Sequence, residues 1–167
     1  MMTKNSIKVI AVLFLLSVQL FAQNEAEKVK SLFVYNFTRY IEWPQTDGTF
    51  YIGVLGSDQN LLAAFREMAS KKSTPSMKII VKQFSNPAEA EGYNLVYIPE
   101  SNSRSLKQIS GRTKTLVVTE KAGMTKYGSD INFVQHGGKI RFEMNKGSID
   151  KTELKVSSQL MSLAIMV

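Results

Sequence analysis

The sequence predicts a single-domain α/β fold, with a mixed and mostly parallel β-sheet of about six strands flanked by helices on both faces. Three observations support this prediction. In the first half of the chain, helical stripes of apolar residues alternate with short, nearly continuous apolar segments, as in parallel sheets covered on both sides. Two strand-like segments then flank a Gly-Gly pair, which indicates an antiparallel hairpin. A last apolar stripe at helical spacing closes the chain.

The first helix is predicted over residues 25–43. Its apolar and aromatic side chains recur at helical spacing, at Val29, Phe33, Phe37, Tyr40 and Ile41. Pro44 predicts the end of the helix, because a residue that precedes proline disfavours the helical conformation. Aromatic residues at this spacing are usually core residues, so we expect four side chains to pack inward: Phe33, Phe37, Ile41 and Trp43.

Four apolar segments predict the next strands, at Phe50–Leu55, Met77–Phe84, Tyr93–Ile98 and Thr115–Thr119. After the first of them, a turn at Gly56 leads into a helix that reaches about Ser70, with Ser57 or Asp58 as its N-cap. This helix directs four apolar residues to the core: Leu61, Leu62, Phe65 and Met68. A short surface helix is predicted over Ser101–Ile109, and a loop around Gly123 and Gly128.

The last third of the chain contains the predicted hairpin, with strands at Ile131–Gln135 and Lys139–Met144 around His136-Gly137-Gly138. In the second strand, alternation places Glu143 on the outward face. A break at Asn145–Ser148 precedes a final helix that is predicted to run to the last residue. The apolar stripe of this helix is Val156, Leu160, Leu163, Ala164 and Val167.

The N-terminal segment Met1–Ala22 has the pattern of a secretory signal peptide. Lys4 and Lys8 precede the apolar run Val9–Leu16, and a short tail ends on the small residue Ala22. The apolar run is too short to cross about 30 Å of hydrocarbon comfortably. We therefore expect residues 1–22 to be a cleaved leader, residues 23–167 to form the exported domain, and the domain to be located in the periplasm.

Composition excludes several kinds of chemistry. With one histidine and no cysteine, the chain cannot assemble a His/Cys metal site. A Ser-His-acid triad requires His136, and no glycine-flanked nucleophilic serine accompanies it. The segment Ser148–Lys151 matches S-x-x-K but lacks the partner motifs, and Gly53–Gly56 lacks the spacing of a phosphate-binding loop. We expect a protein that is not an enzyme, with no catalytic residues, no metal and no cofactor.

The formal net charge of the chain is +7, and its lysines are scattered along the sequence. A basic domain suits an acidic partner, anionic head groups or a polyanion, and an excess of positive charge that only favours solubility is the alternative. Export argues against nucleic acid as the natural ligand.

The first helix also carries a family signature. It holds the opening residues of that signature at the same spacing, Lys30, Phe33, Tyr35, Asn36, Phe37, Arg39, Tyr40, Ile41, Trp43 and Pro44. On these residues the chain resembles the YfiR-like family of small exported proteins. The similarity continues in order through Tyr51–Gly56, Asn94–Ile98, Leu116–Thr119, Ile131–Val134, Lys139–Asn145 and Leu154–Leu160, with Leu163-Ala164.

The resemblance implies a periplasmic repressor that binds the sensor domain of a membrane-bound, YfiN-like diguanylate cyclase. It implies release by a YfiB-like, OmpA-like outer-membrane lipoprotein, an effect on cyclic di-GMP, exopolysaccharide and biofilm, and a homodimer. Better-known members carry cysteines that link repression to the periplasmic redox state. This chain has none, so redox control of that kind cannot operate in it.

A repressor of this kind needs a docking surface, for which the sequence offers Glu143, Ile149 and Lys151 as partner-binding residues. Ile149 is an apolar residue in a polar break, and the alternative is that it anchors the core as a hydrophobic staple. Two other functions stay open: a small-ligand sensor that feeds a histidine kinase or an outer-membrane receptor, and an envelope assembly factor that bridges partners.

Overall fold

A computed structural model of the chain describes residues 24–44, 47–109 and 112–167. The predicted leader, residues 1–22, lies outside the described residues. Among the described residues, no helix has both the length and the apolar character that crossing a bilayer requires.

The structure contains four α-helices, three 3-10 helices and nine strands in its described part. The α-helices are α1 (24–40), α2 (Gln59–Lys72), α3 (Lys146–Ile149) and α4 (Ser158–Leu163). The 3-10 helices span Pro87–Gly92, Glu100–Gln108 and Met124–Tyr127. The strands are β1 (Ile41–Glu42), β2 (Thr49–Leu55), β3 (Lys78–Phe84), β4 (Leu95–Ile98), β5 (Leu116–Thr119), β6 (Ile131–His136), β7 (Lys139–Met144), β8 (Lys155–Val156) and β9 (Ile165–Met166).

Seven of the strands form one sheet in the order β3-β2-β4-β5-β6-β7-β9. Every neighbouring pair is parallel except β6 and β7, which form the antiparallel hairpin. A separate two-stranded ladder joins β1 and β8. The predicted class, a mixed and mostly parallel α/β sheet in one domain, is confirmed.

Helices cover both faces of the sheet, so the central strands are buried on both sides. On one face, alternate residues of β2, β4 and β5 pack with α1 and α2 in a core that includes Phe37, Phe65 and Tyr97. On the other face, the intervening residues pack against the first two 3-10 helices in a smaller core that includes Leu55, Val96 and Leu106. Strand alternation therefore produces two cores from one sheet.

Helix α1 lies over the hairpin through aromatic contacts. The Phe37 ring meets the Phe142 ring edge-on, with 5.2 Å between centroids. Phe37 and Ile41 are buried as predicted, whereas Phe33 and Trp43 are only partly buried against the same core. The helix ends at residue 40, three residues before the predicted end, because Ile41–Glu42 pairs with Lys155–Val156.

Helix α2 and the hairpin confirm the local predictions. Asp58 is the N-cap of α2, where its Oδ1 accepts a hydrogen bond from the Leu61 N–H at 3.0 Å. The four side chains predicted to face the core from this helix are buried. In the hairpin, the turn residues Gly137 and Gly138 have φ of +58° and +72°, which a two-residue turn of this kind requires.

The C-terminal segment differs from the prediction of a helix that runs to the last residue. Helix α4 ends at Leu163, and Ile165–Met166 instead forms β9, parallel to β7. The Val167 N–H donates to the Met144 carbonyl at 3.1 Å. Pairing gives hydrogen-bond partners to backbone groups on the outer edge of β7 that would otherwise be unpaired. Leu163, at the end of α4, is about half exposed.

Candidate functional site

A cavity of about 870 Å³ lies beside β6, at the carboxyl ends of β4 and β5. Four consecutive residues of β6 line it, so it reaches both faces of that strand and its edge. Apolar side chains from β6, β7 and β9 alternate with charged side chains along its walls. The lining residues are Lys30, Glu100, Glu120, Ala122, Phe133, Val134, Gln135, His136, Ile140, Arg141, Glu143 and Ile165.

A charged network, here called the Glu120 cluster (Glu27, Lys30, Tyr97 and Glu120), borders the cavity, and two of its members, Lys30 and Glu120, line it. Lys30 Nζ of α1 donates to Glu120 Oε2 at 2.5 Å and to Glu27 Oε1 at 3.1 Å. The Tyr97 hydroxyl donates to Glu120 Oε2 at 2.8 Å. The cluster therefore ties α1 to the carboxyl ends of β4 and β5, where ligands of parallel sheets commonly bind.

The pKa values of the two carboxyl groups in the Glu120 cluster are shifted in opposite directions. Burial raises the pKa of Glu27, because one cation at its Oε1 only partly compensates for lost solvent. Glu27 Oε2 is buried without a hydrogen-bond partner among the described residues. Burial acts in the same direction on Glu120, but hydrogen bonds from Lys30, the Glu100 N–H and Tyr97 outweigh it and lower the pKa of Glu120. Burial also raises the pKa of the Tyr97 hydroxyl, so this group stays a hydrogen-bond donor.

Of the predicted docking residues, the structure places Glu143 in the cavity wall. Its side chain is partly exposed, and Oε2 accepts from Asn132 Nδ2 at 3.3 Å and from Thr125 Oγ1 at 3.4 Å. Both contacts are long, so the carboxylate retains capacity for another donor. The partner-binding role of Glu143 stays a prediction.

The structure does not bring the other two docking residues to this cavity. Ile149 is 3 % exposed and belongs to the main core, so its side chain has the anchoring role that was the alternative interpretation. A surface role for Ile149 is not compatible with this position. Lys151 is exposed, two residues further along the chain, and does not line the cavity. Its role also stays a prediction.

A second polar group, here called the Asp130 cluster (Arg112, Val117, Asp130 and Ser148), lies close to the same strands but is enclosed. Asp130 is fully buried and accepts from the Val117 N–H at 2.7 Å and from Ser148 Oγ at 2.6 Å. Arg112 Nη2 donates to Asp130 Oδ2 at 3.0 Å. Ser148 therefore has a structural role, because its hydrogen bond attaches the segment after β7 to the strands.

Lys30, Tyr97 and Glu120 were not predicted as site residues from the sequence. One signal was available for Glu120, since a carboxylate directly after a buried parallel strand lies at the edge where sites form. Lys30 gave no such signal, because a lysine at a helix surface is usually solvated. Among the described residues, no group of three histidine, aspartate or glutamate side chains is placed to hold a metal ion.

A model of the YfiR/HmsC-like family matches residues 27–165. The chain belongs to the YfiR/HmsC-like family. The matched segment includes both polar clusters and the seven-stranded sheet except for its last residue, Met166. This confirms the family that the signature in α1 predicted.

The fold is similar to that of a solved structure, a conserved domain protein from Vibrio cholerae O1 biovar El Tor str. N16961. The TM-score is 0.52 at 12 % sequence identity, and the alignment covers 70 % of this chain and 54 % of that chain. The YfiR/HmsC-like chain therefore spans about half the length of that protein, and the likeness concerns the fold alone. A search of curated proteins found no match.

Proposed function

We propose that this protein is exported to the periplasm, where it represses a membrane-bound diguanylate cyclase by binding the cyclase's periplasmic sensor domain. Repression lowers cyclic di-GMP and biofilm formation. The observation that carries the proposal is the family match over residues 27–165. Export by a leader at residues 1–22, a homodimeric state and release by an OmpA-like lipoprotein are parts of the same proposal.

A regulator that catalyses no reaction acts through a difference in its affinity for two states of its partner. It must bind the inactive form of the sensor domain more tightly than the active form, and a difference of about 3 kcal/mol moves a balanced equilibrium to 99:1. The cavity beside β6 supplies groups for such discrimination, since apolar residues such as Phe133 and Ile140 lie among charged side chains there. Glu143 is the predicted docking residue that this cavity includes.

The direct test is binding of the purified protein to the purified sensor domain of the cyclase, together with cyclic di-GMP levels in a deletion strain. We expect a stable complex and higher cyclic di-GMP on deletion. Glu143→Gln keeps the size of the side chain and removes its charge, so we expect about tenfold weaker binding with an unchanged melting temperature. Glu91→Gln, an exposed residue of the first 3-10 helix, is the matched control. Unchanged cyclic di-GMP on deletion would contradict the proposal.

A second function, sensing of a small ligand for a histidine kinase or outer-membrane receptor, is favoured by the size of the cavity. Ligand sites commonly enclose about 300–1,000 Å³, with apolar walls and a few polar groups. A ligand at 100 times its dissociation constant would stabilise the protein by about 2.7 kcal/mol. A thermal-shift screen of periplasmic metabolites tests this function, and no shift for any compound would contradict it.

A further inference from the structure

The edge of β6 is only partly covered by its neighbour β5. Their pairing consists of Val118↔Ile131 and Thr119↔Asn132, and β5 ends at Thr119. β6 continues for four more residues, to His136, which is about 13 Å of strand. Within residues 24–44, 47–109 and 112–167, no strand pairs with residues 133–136 on that side. Four of the six residues of β6 therefore project beyond β5 with an open edge.

The register of the hairpin shows which backbone groups face the open side. His136 pairs with Lys139 across a two-residue turn, so these two residues exchange hydrogen bonds. Hydrogen-bonded and non-hydrogen-bonded pairs alternate along an antiparallel ladder, so Val134 also bonds to β7 whereas Gln135 does not. The N–H and C=O of Gln135 therefore point away from β7, toward the open side. An added strand would find there the donor and acceptor that it needs.

The cavity follows this open edge. Glu120 and Ala122 close the cavity at the end where β5 stops, and Lys30 of α1 lines the cavity beside them. Phe133, which is 3 % exposed, and the partly buried Val134 line the cavity from opposite faces of β6. An extended segment bound along this edge would direct its side chains alternately to the Phe133 face and the Val134 face of β6.

We propose that the open edge of β6 binds an extended segment of the protein partner, which adds a strand to the sheet in line with β5 and places an acidic side chain against Arg141. This inference rests on the proposed function, because it assigns the binding mode of the partner. Strand addition uses main-chain hydrogen bonds for affinity and alternate side chains for specificity. It requires no change in the fold of this chain.

The positive charge at the end of the hairpin favours an acidic residue in the bound segment. Lys139 and Arg141 are exposed at the far end of the hairpin, and neither forms an ion pair with a described residue. His136 lies beside them in the cavity wall. Arg141 Nη2 donates only to the Leu163 carbonyl, at 3.3 Å, and Glu143 is the carboxylate on the same face of β7. A carboxylate on the incoming segment would therefore meet the positive charge of Lys139 and Arg141 at the end of the hairpin away from Glu143.

The other long edge of the sheet is less suited to strand addition. β3 has an open outer edge of seven residues, but Lys78 and Lys82 are exposed along it. Charged residues, and lysine above all, are the common protection of an edge strand against pairing with another chain. The β6 edge has no charged residue between Phe133 and Gln135.

The test uses the full exported domain and a blocked heptapeptide of alternating threonine and valine with a central glutamate. NMR titration should give saturable shifts at residues 133–136 and slower hydrogen exchange of the Gln135 amide. A peptide with lysine in place of the glutamate should bind about tenfold more weakly. No saturable shift, or shifts centred on β3, would overturn the proposal.

Two variants of Gln135 separate the backbone from the side chain. Gln135→Pro removes the outward N–H and leaves the β6–β7 hydrogen bonds intact, because residue 135 is in a non-hydrogen-bonded pair. Gln135→Ala keeps the N–H and removes the side chain. We expect at least about tenfold weaker peptide binding for Gln135→Pro, within about twofold for Gln135→Ala, and similar melting temperatures for both. Equal binding by the two variants would overturn the proposal.

Binding to the cyclase sensor domain distinguishes this inference from the proposed function. If the wild-type protein binds the sensor domain and Gln135→Pro binds it equally well, strand addition is wrong and the proposed function stands. If the peptide binds with the expected sensitivity to Gln135→Pro while the sensor domain does not bind the wild-type protein, the proposed function is wrong and the strand site stands.

Discussion

The Glu120 and Asp130 clusters use the same chemistry in two different environments. Each pairs a carboxylate with a cation and adds a hydroxyl and a backbone N–H as donors. Asp130 has no exposed surface and its partner Arg112 keeps 10 % of its side-chain surface exposed, whereas Lys30 and Glu120 each keep 15 % exposed at the cavity. The Asp130 cluster joins sequence segments inside the fold, and the Glu120 cluster joins a helix to a sheet at the border of a site.

The difference shows how enclosure determines the role of an ion pair. A buried pair contributes little net stability, but removal of one partner leaves an uncompensated charge and costs much more. At a cavity border, water and partner groups can replace a missing contact, so the same removal costs less. We expect the Asp130 cluster to determine stability and the Glu120 cluster to tune the site.

The largest effect should follow from Asp130→Ala. The substitution leaves the partly buried Arg112 guanidinium and the buried Val117 N–H without their acceptor, so the free energy of unfolding should fall by about 3–5 kcal/mol in urea denaturation. Asp150→Ala is the control, since Asp150 forms an exposed pair with Lys146 and should change stability by less than about 1 kcal/mol. A similar, small loss for both variants would remove the distinction between enclosed and exposed pairs.

A smaller loss is expected for Lys30→Met, which keeps most of the apolar stem and removes the cation between Glu27 and Glu120. Partial exposure allows water to solvate the two carboxylates, so we expect a loss of about 2–3 kcal/mol. Lys28→Met, in an exposed pair with Glu25, is the matched control and should stay within about 0.5 kcal/mol of the parent. If Lys30→Met costs as much as Asp130→Ala, the two clusters are energetically equivalent.

Tyr97→Phe should have a still smaller effect. It removes one hydrogen bond to Glu120, which keeps its donors from Lys30 and the Glu100 N–H. The expected loss in free energy of unfolding is about 1–2 kcal/mol, measured by chemical denaturation. Tyr127→Phe changes an exposed tyrosine and should leave stability unchanged within about 0.5 kcal/mol. An equal loss in both variants would show that the buried hydroxyl has no special role.

The smallest effects should be opposite pH dependences within the Glu120 cluster. The pKa of Glu27 is raised in the folded state from 4.5, so its contribution to stability falls as pH rises from 4.5 through the raised value. The pKa of Glu120 is lowered from 4.5, so its contribution is full above 4.5 and is lost as pH falls through the lowered value.

Substitution by glutamine isolates each contribution. Relative to the parent, Glu27→Gln should gain stability as pH rises above 4.5, and the deficit of Glu120→Gln should shrink as pH falls below 4.5. Urea denaturation between about pH 3 and pH 8, a range that spans the titration of carboxyl groups, measures both differences. Differences that change with pH in the same direction would contradict the assignment.

Most elements of the fold could be predicted, because local patterns determine them. The bounds of β7 match the prediction, and those of the other strands in the parallel half and the hairpin differ by one or two residues. The C-terminal segment was predicted wrongly. Its apolar spacing suited a helix, but the open edge of β7 made a strand the better solution, and no local pattern shows that edge.

The site was predicted only in part. Alternation in β7 predicted an outward-facing Glu143, and its partly exposed side chain lines the cavity, but its partner-binding role stays a prediction. Ile149 is a core residue. An apolar residue between charges has the same appearance in sequence whether it is exposed or buried. Burial depends on the packing of other segments, and Ile149 shares the main core with Leu154 and Leu160 of the segments that follow it.

The sequence by itself determined the family, the alternation of strands and helices, and the hairpin at Gly137-Gly138, because each depends on residues close together in the chain. Only the tertiary structure decided that Lys30 meets Glu120, 90 positions away, and that β6 extends beyond the end of β5. Such contacts depend on how whole elements pack. The charged wall and the open strand edge that define the candidate site are both of this kind.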